Sequence, residues 1–354
     1  MEATTTNPYP LIRRSDGHGD DIARIARYWT PVDDDLAGVA PERAAAVRDY
    51  RLGVAAFDFS RTDYWHDPDG IDVFADLPYL PDGGYGEGRQ RGHLLDLYLP
   101  HAAIVRGGAT LPVIIDIHGG GFMYGAKELN RNFNTHLAAE GCVVFSLNYR
   151  LAPEADLRGQ LEDVQAALAW ILRHLPDWPV SRTNVFLTGD SAGGALAWLT
   201  TLIGHSSEAA AALGVRREFG MHVRGLSLVS PAVNFSTAST PCAPSARAGI
   251  TDVLGDAFFP ASPDAQPYLT PAGALERVQV PPVQLFTSSD DFIEAQSLQL
   301  ATALSSTGGD VELHDVKVSP VETLGHVYPV CMSWLPESRE AIARIHGFML
   351  GHCE

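Results

Sequence analysis

Ser191 stands in "GDSAGG", between the apolar run "VFLT" and the helix-like run "ALAWLTTLIGH". Glycines at 189 and 193 let neighbouring backbone approach closely enough to hold a strained strand-to-helix turn, which thrusts Oγ outwards. A hydroxyl so presented can attack a carbonyl carbon, provided that something binds the oxyanion it creates. "DIHGGGFMYG" offers that something: His118, Gly119, Gly120 and Gly121 end an apolar run, and consecutive glycines leave N–H groups unshielded by side chains. Gly120 and Gly121, joined by Ala192 just after the serine, form the expected oxyanion hole. His118 is expected to orient this loop through hydrogen bonds rather than act as a base. The competing reading of a glycine-rich turn is a phosphate cradle. Neither G-x-x-x-x-G-K-[ST] nor G-x-G-x-x-G is present, however, and no lysine stands near Ser191.

The elements that must carry these residues follow from hydrophobic period. "IDVFADLPYL" and "HLLDLYLP" alternate like strands joined by the turn-rich "PDGGYGEG", a hairpin at one sheet edge. Continuous β-branched runs come next: "LPVIIDI", "CVVFSLNY", "NVFLTG", "GLSLVSP", "PVQLFTSS" and "DVELHDVKV". Helical spacing separates most of them, as in "ELNRNFNTHLAAEG", "LEDVQAALAWILRHL", "DFIEAQSLQLATALSS" and the closing "SREAIARIHGFML". Apolar strands alternating with helices predict an α/β fold with a mostly parallel sheet covered on both faces. Residues 1–70 and an insert at 234–277 break this rhythm and read as a helical cap, leaving 71–354 as the core. Helical patches "DDIARIARYW" and "PERAAAVRDYRLGVAAF" lie in the first segment, and Tyr28, Trp29, Tyr64 and Trp65 are its candidates for lining a pocket, with packing in the core the equal alternative.

"HGGGF", "YRLAPE" and "GDSAGG", in this order and separation, resemble the hormone-sensitive-lipase-like branch of the α/β-hydrolase carboxylesterases. The resemblance runs from about residue 71 to the end and implies an α/β-hydrolase fold with a Ser-His-Asp triad and no metal or organic cofactor. The triad order in that fold is serine, acid, histidine. "VQLFTSSDDFIEAQ" supplies two acids where a late strand ends, Asp290 and Asp291; the family's pattern of acid followed by x-Ile implies Asp291, and Asp290 is the alternative. His326 alone among the thirteen histidines follows both the acid and the last strand in a loop, and Tyr328 fits the family's aromatic two residues on. "YRLAPEADLRGQ" departs from the family pattern, losing an aromatic and prolines near the pocket rim.

A net charge of -18 and a sequence without basic runs exclude nucleic acid and anionic membranes as expected partners. No apolar stretch has the length of a bilayer span, and the N-terminus has no signal-peptide core, so a cytoplasmic protein is expected. Cys142, Cys242, Cys331 and Cys353 are scattered without metal spacing. The expected activity is hydrolysis of small-molecule esters with short acyl or small aryl groups. The alternatives on the same scaffold are a non-catalytic ligand receptor, against which His326 counts, and amide hydrolysis or elimination. The resemblance is the one ground for a homodimer.

Overall fold

A computed structural model describes residues 27, 29–81, 83, 92–106, 110–217, 220, 222–241, 243–318 and 323–354. Eight strands form one sheet: β1 (Ile71–Pro78), β2 (Leu94–Pro100), β3 (Leu111–Ile117), β4 (Val143–Leu147), β5 (Val180–Asp190), β6 (Val223–Val229), β7 (Val283–Ser288) and β8 (Val311–Val316). Their order is β1-β2-β4-β3-β5-β6-β7-β8. β1 and β2 form the antiparallel pair at one edge, β2 meets β4 antiparallel, and every pairing from β4 to β8 is parallel. This is the expected α/β-hydrolase arrangement.

The reason for burial on both faces is visible in the strands themselves. In β3 and β4 successive residues of both parities are buried, so neither face can be left to water. One face is covered by α4 (Leu157–His174), α5 (Ala192–His205) and α9 (Glu294–Ser306), in a core that includes Leu161, Leu168, Leu196, Leu202 and Leu300. The other is covered by α3 (Arg131–Ala139) and α11 (Pro336–Gly351), through Phe133, Leu137, Ile342, Ile345 and Phe348. α4 starts where sequence chemistry would start it: the Asp156 carboxylate accepts from Gly159 N–H at 2.8 Å, and Arg173 and His174 complement the dipole at the far end.

Strand order reverses direction between β3 and β5, and loops leaving the carboxyl ends of parallel strands part there to open a crevice. His118 to Gly121 follow β3, Ser191 follows β5, Ser230 follows β6, Asp291 follows β7 and His326 follows β8. The topology therefore gathers at one end of the sheet groups that lie far apart in sequence.

Of the two segments outside the sheet rhythm, the second helical patch of the first is α1 (Pro41–Phe59), whereas "DDIARIARYW" falls almost wholly outside the described residues. The insert at 234–277 is not a long irregular loop: it contains α7 (Arg247–Leu254), α8 (Pro271–Leu275) and two 3-10 turns. α1 is fastened by Arg51, a fully buried guanidinium that pairs both nitrogens with Asp35 at 2.6 and 2.7 Å. It also donates to the carbonyls of Met123 (2.7 Å), Val32 (3.0 Å) and Ala152 (2.9 Å). One side chain thus joins the first segment to the turn after the glycines and to the "YRLAPE" loop. Arg51→Met is expected to cost about 3–5 kcal/mol, because Asp35 would be left as an uncompensated buried charge; urea unfolding of the two proteins measures it.

Candidate active site

Ser191 has φ 52° and ψ -116°, a backbone conformation that a side chain disfavours. Close packing enforces it. A β-carbon on Gly193 would fall 1.9 Å from Ile117 O, and one on Gly189 would fall 2.6 Å from Gly193 O. Ser191 N–H donates to Val229 O at 2.9 Å, and Ser191 O accepts from Ala195 and Ala232, so the turn is hydrogen-bonded on both sides. β5 runs on through the run "NVFLTG" to Asp190, because its ladder with β6 continues to Asp190 and Val229. α5 begins at Ala192 with its first amides directed at this turn, where they favour negative charge.

The glycine loop is shaped as tightly. Gly120 (φ +108°) and Gly121 (φ +61°) occupy left-handed backbone; a β-carbon would collide with Tyr124 O in the first case and with the Tyr50 hydroxyl in the second. Met123 and Tyr124 N–H both close on Gly120 O. Gly119 N–H donates to Asp190 Oδ1 at 3.0 Å, which ties the loop to the residue before the serine. Among the described residues, none accepts from the N–H of Gly120, Gly121 or Ala192. Unused amides of this kind beside a serine hydroxyl are what an oxyanion formed there would require.

Asp291 Oδ1 lies 2.8 Å from His326 Nδ1. The same carboxylate accepts from Ile293 N–H at 3.0 Å and, on Oδ2, from Thr287 Oγ1 at 3.1 Å. Burial pushes its pKa up, but the hydrogen bond and charge of His326, with smaller help from Ser230 and Ile293 N–H, outweigh that and hold it below the usual carboxylate range. Asp290, the alternative acid, is exposed and instead accepts from Leu324 N–H at 3.3 Å. The loop carrying His326 is pinned by Ser288 Oγ donating to Gly325 O (3.1 Å) and by Val327 N–H donating to Ser230 Oγ (3.2 Å).

His118 is buried, and burial pushes its pKa down to about 4, so it is neutral at ordinary pH. Its Nδ1 bonds Gly119 O at 2.8 Å and its ring stacks on Tyr149 at 4.5 Å, the orienting role expected of it.

Ser191, Gly119, Gly120, Gly121, Ala192 and His326 share the wall of one cavity of about 820 Å³. Its other walls come from α1 (Tyr50, Val54, Phe57, Asp58), from the glycine turn (Phe122, Met123, Tyr124), and from Ile250 of the insert. The four aromatic candidates of the first segment divide. Trp65 lines the cavity, whereas Trp29 packs in a small core with Val32, Ala55, Phe59 and Tyr124. Tyr64 is exposed and stacks on Trp334, and Tyr28 lies outside the described residues.

Sequence reasoning missed the polar part of this wall. Asp58 accepts from Tyr124 OH at 2.9 Å, and burial, opposed by that bond and by Arg61, raises its pKa to about 6. Below it, Asn130 Nδ2 reaches both Asp116 and Asp190, and burial raises Asp116 to about 7. With a folded pKa above the unfolded one, Asp58 binds more protons in the native state between roughly pH 4 and 6. Its contribution to stability is therefore full at low pH and lost as pH rises through about 6. Asp58→Asn keeps an acceptor for Tyr124 without the charge. It is expected to raise stability by about 3 kcal/mol at pH 8 and by well under about 1 kcal/mol near pH 4, as read from urea unfolding at the two pH values.

A family model described as the alpha/beta hydrolase fold matches residues 114–322, more than half of the chain. The chain belongs to the α/β-hydrolase fold family. Among solved members, esterase B from Lactobacillus rhamnosis superposes with a TM-score of 0.75 at 29% identity, covering 88% of this chain and 95% of that one. Esterase LipI of Mycobacterium tuberculosis is 27% identical over 248 residues, 67% of this chain and 71% of its own. An esterase of the bacterial hormone-sensitive lipase family shares the fold with a TM-score of 0.59 at 24% identity.

Proposed function

We propose that this α/β-hydrolase is a serine carboxylesterase acting on esters with short acyl or small aryl groups. The observation that carries the reading is the constellation itself: a serine in a strained turn, free amides of two glycines and the His326 imidazole on one cavity, with the Asp291 carboxylate buried 2.8 Å behind that imidazole. In this scheme His326 takes the Ser191 proton as Oγ attacks the ester carbonyl, and Asp291 holds the imidazole and balances its positive charge. Gly120, Gly121 and Ala192 N–H receive the oxyanion. His326 then protonates the leaving alcohol, and water, activated by the same histidine, releases the acid from Ser191. No metal or organic cofactor enters the scheme. In this reading α1 and the insert are the cap that closes the cavity over the sheet's carboxyl end. Phe122, Met123 and Ile250 give it an apolar lining suited to a short chain or a ring.

The coarse activity has support from the esterases among the relatives, and one solved form of esterase B is described as inhibited by a tributyrin phosphonate. The test is hydrolysis of p-nitrophenyl esters from acetate to decanoate. Turnover with an optimum among the short chains is expected; folded protein inactive across the series would contradict the reading.

A further inference from the structure

Phe292 is 80% exposed, the most exposed of the large hydrophobic side chains among the described residues. It is not stray surface: it lines the cavity, and its ring centroid stands 4.5 Å from that of His326 with the planes tilted by 50°. Its backbone is held from both sides. Asp291, just before it, is buried and bonded to His326, and Ile293 N–H, just after it, is bonded to Asp291 Oδ1. An exposed aromatic ring on a rigid turn, with water on one side and an imidazole on the other, calls for a reason.

The proposed reaction supplies one. Expulsion of the alcohol requires its oxygen to take a proton from the histidine, so whatever that oxygen carries must sit beside His326. The group beside His326 on the open side of the cavity is Phe292. We infer that Phe292 is the leaving-group subsite, a stacking face that favours esters of aromatic alcohols over esters of alkyl alcohols of equal acidity. The inference rests on the esterase reading. It adds which half of the substrate is read where: the acyl group by the enclosed cavity and the alcohol by this ring at its mouth.

The test uses phenyl butyrate and hexafluoroisopropyl butyrate, whose leaving groups have similar acidity but of which one is aromatic. Both give the same butyryl-enzyme, so kcat/KM isolates acylation, the half-reaction in which the leaving group is still present. Phe292→Ala is expected to lower the phenyl-to-alkyl ratio of kcat/KM by about 3–10-fold, the worth of one aromatic contact. Phe292→Trp should preserve or raise the ratio. A ratio unchanged in Phe292→Ala would overturn the inference even if both activities fell, since that is the signature of a ring that merely positions His326. If wild type hydrolyses neither ester, the esterase reading fails and the subsite falls with it. A wild type active on both but with no change of ratio in the variant removes the subsite alone.

Discussion

Ser191→Ala and His326→Ala are each expected to lower kcat/KM for p-nitrophenyl butyrate by about 10,000-fold or more, with the fold retained. The size follows from the way the groups act. The serine hydroxyl is a poor nucleophile until its proton has somewhere to go, and the imidazole has no task without the hydroxyl. The double variant should therefore be little worse than either single one, and this lack of additivity is as diagnostic as the loss itself. What activity remains would come from the oxyanion amides and from binding. Neither substitution removes a core contact. Ser191 and His326 are only partly buried, and the hydrogen bonds that hold the turn at 191 are made by its backbone. Near-wild-type circular dichroism should accompany the loss in both, with an unchanged urea midpoint for Ser191→Ala and a lowered one for His326→Ala, which leaves the buried Asp291 carboxylate without its imidazole partner.

Gly193→Ala is expected to be the most damaging single methyl that can be added near the site. The new carbon would lie 1.9 Å from Ile117 O and 2.4 Å from His118 O, backbone atoms of the strand end that carries the oxyanion glycines. No flexible side chain is available to move aside. Either β3 and the start of α5 separate, or the turn at Ser191 changes shape, and both take Gly120 and Gly121 away from the serine. A loss of about 3 kcal/mol or more in urea unfolding is expected, together with loss of activity in whatever remains folded. Gly347→Ala provides the contrast. It is exposed in α11 with nothing within 4 Å of the added carbon, so it should stabilise by about 0.5–1 kcal/mol through helix propensity. Equal effects at the two positions would contradict the packing argument.

The groups assigned to the proposed reaction were legible in the sequence because each sits in a short run whose composition is itself the requirement. Glycines around Ser191 and in "HGGGF" are demanded by local backbone geometry, and local demands leave local traces. The choice of Asp291 over Asp290 came from a family pattern, and the geometry agrees: one acid is buried against His326 while its neighbour caps the backbone of the histidine loop. The groups that hold these residues in place were not legible. Thr287, Ser288 and Ser230 come from the ends of two strands and reach the acid or the histidine loop only once the sheet is assembled. Arg51 resembles any surface arginine of an amphipathic helix until Asp35 and three carbonyls close around it. The aromatics of the first segment stay undivided between pocket and core in sequence for the same reason: Trp29 and Trp65 are alike there, and only packing sends one to a small core and the other to the cavity. Asp58 shows the opposite case, a carboxyl whose residue type predicts solvent but whose place on α1 is the buried face that it shares with Val47, Arg51 and Ala55.

The proposed chemistry turns on Ser191 becoming covalently acylated with His326 as its base. The most direct measurement is mass spectrometry of the protein after brief exposure to an activated phosphonate or a slowly deacylating ester, followed by proteolysis to locate the added mass. One adduct per chain is expected on the peptide containing Ser191, formed by wild type and absent from Ser191→Ala and His326→Ala. An adduct on another residue, or one formed as fast without His326, would contradict it.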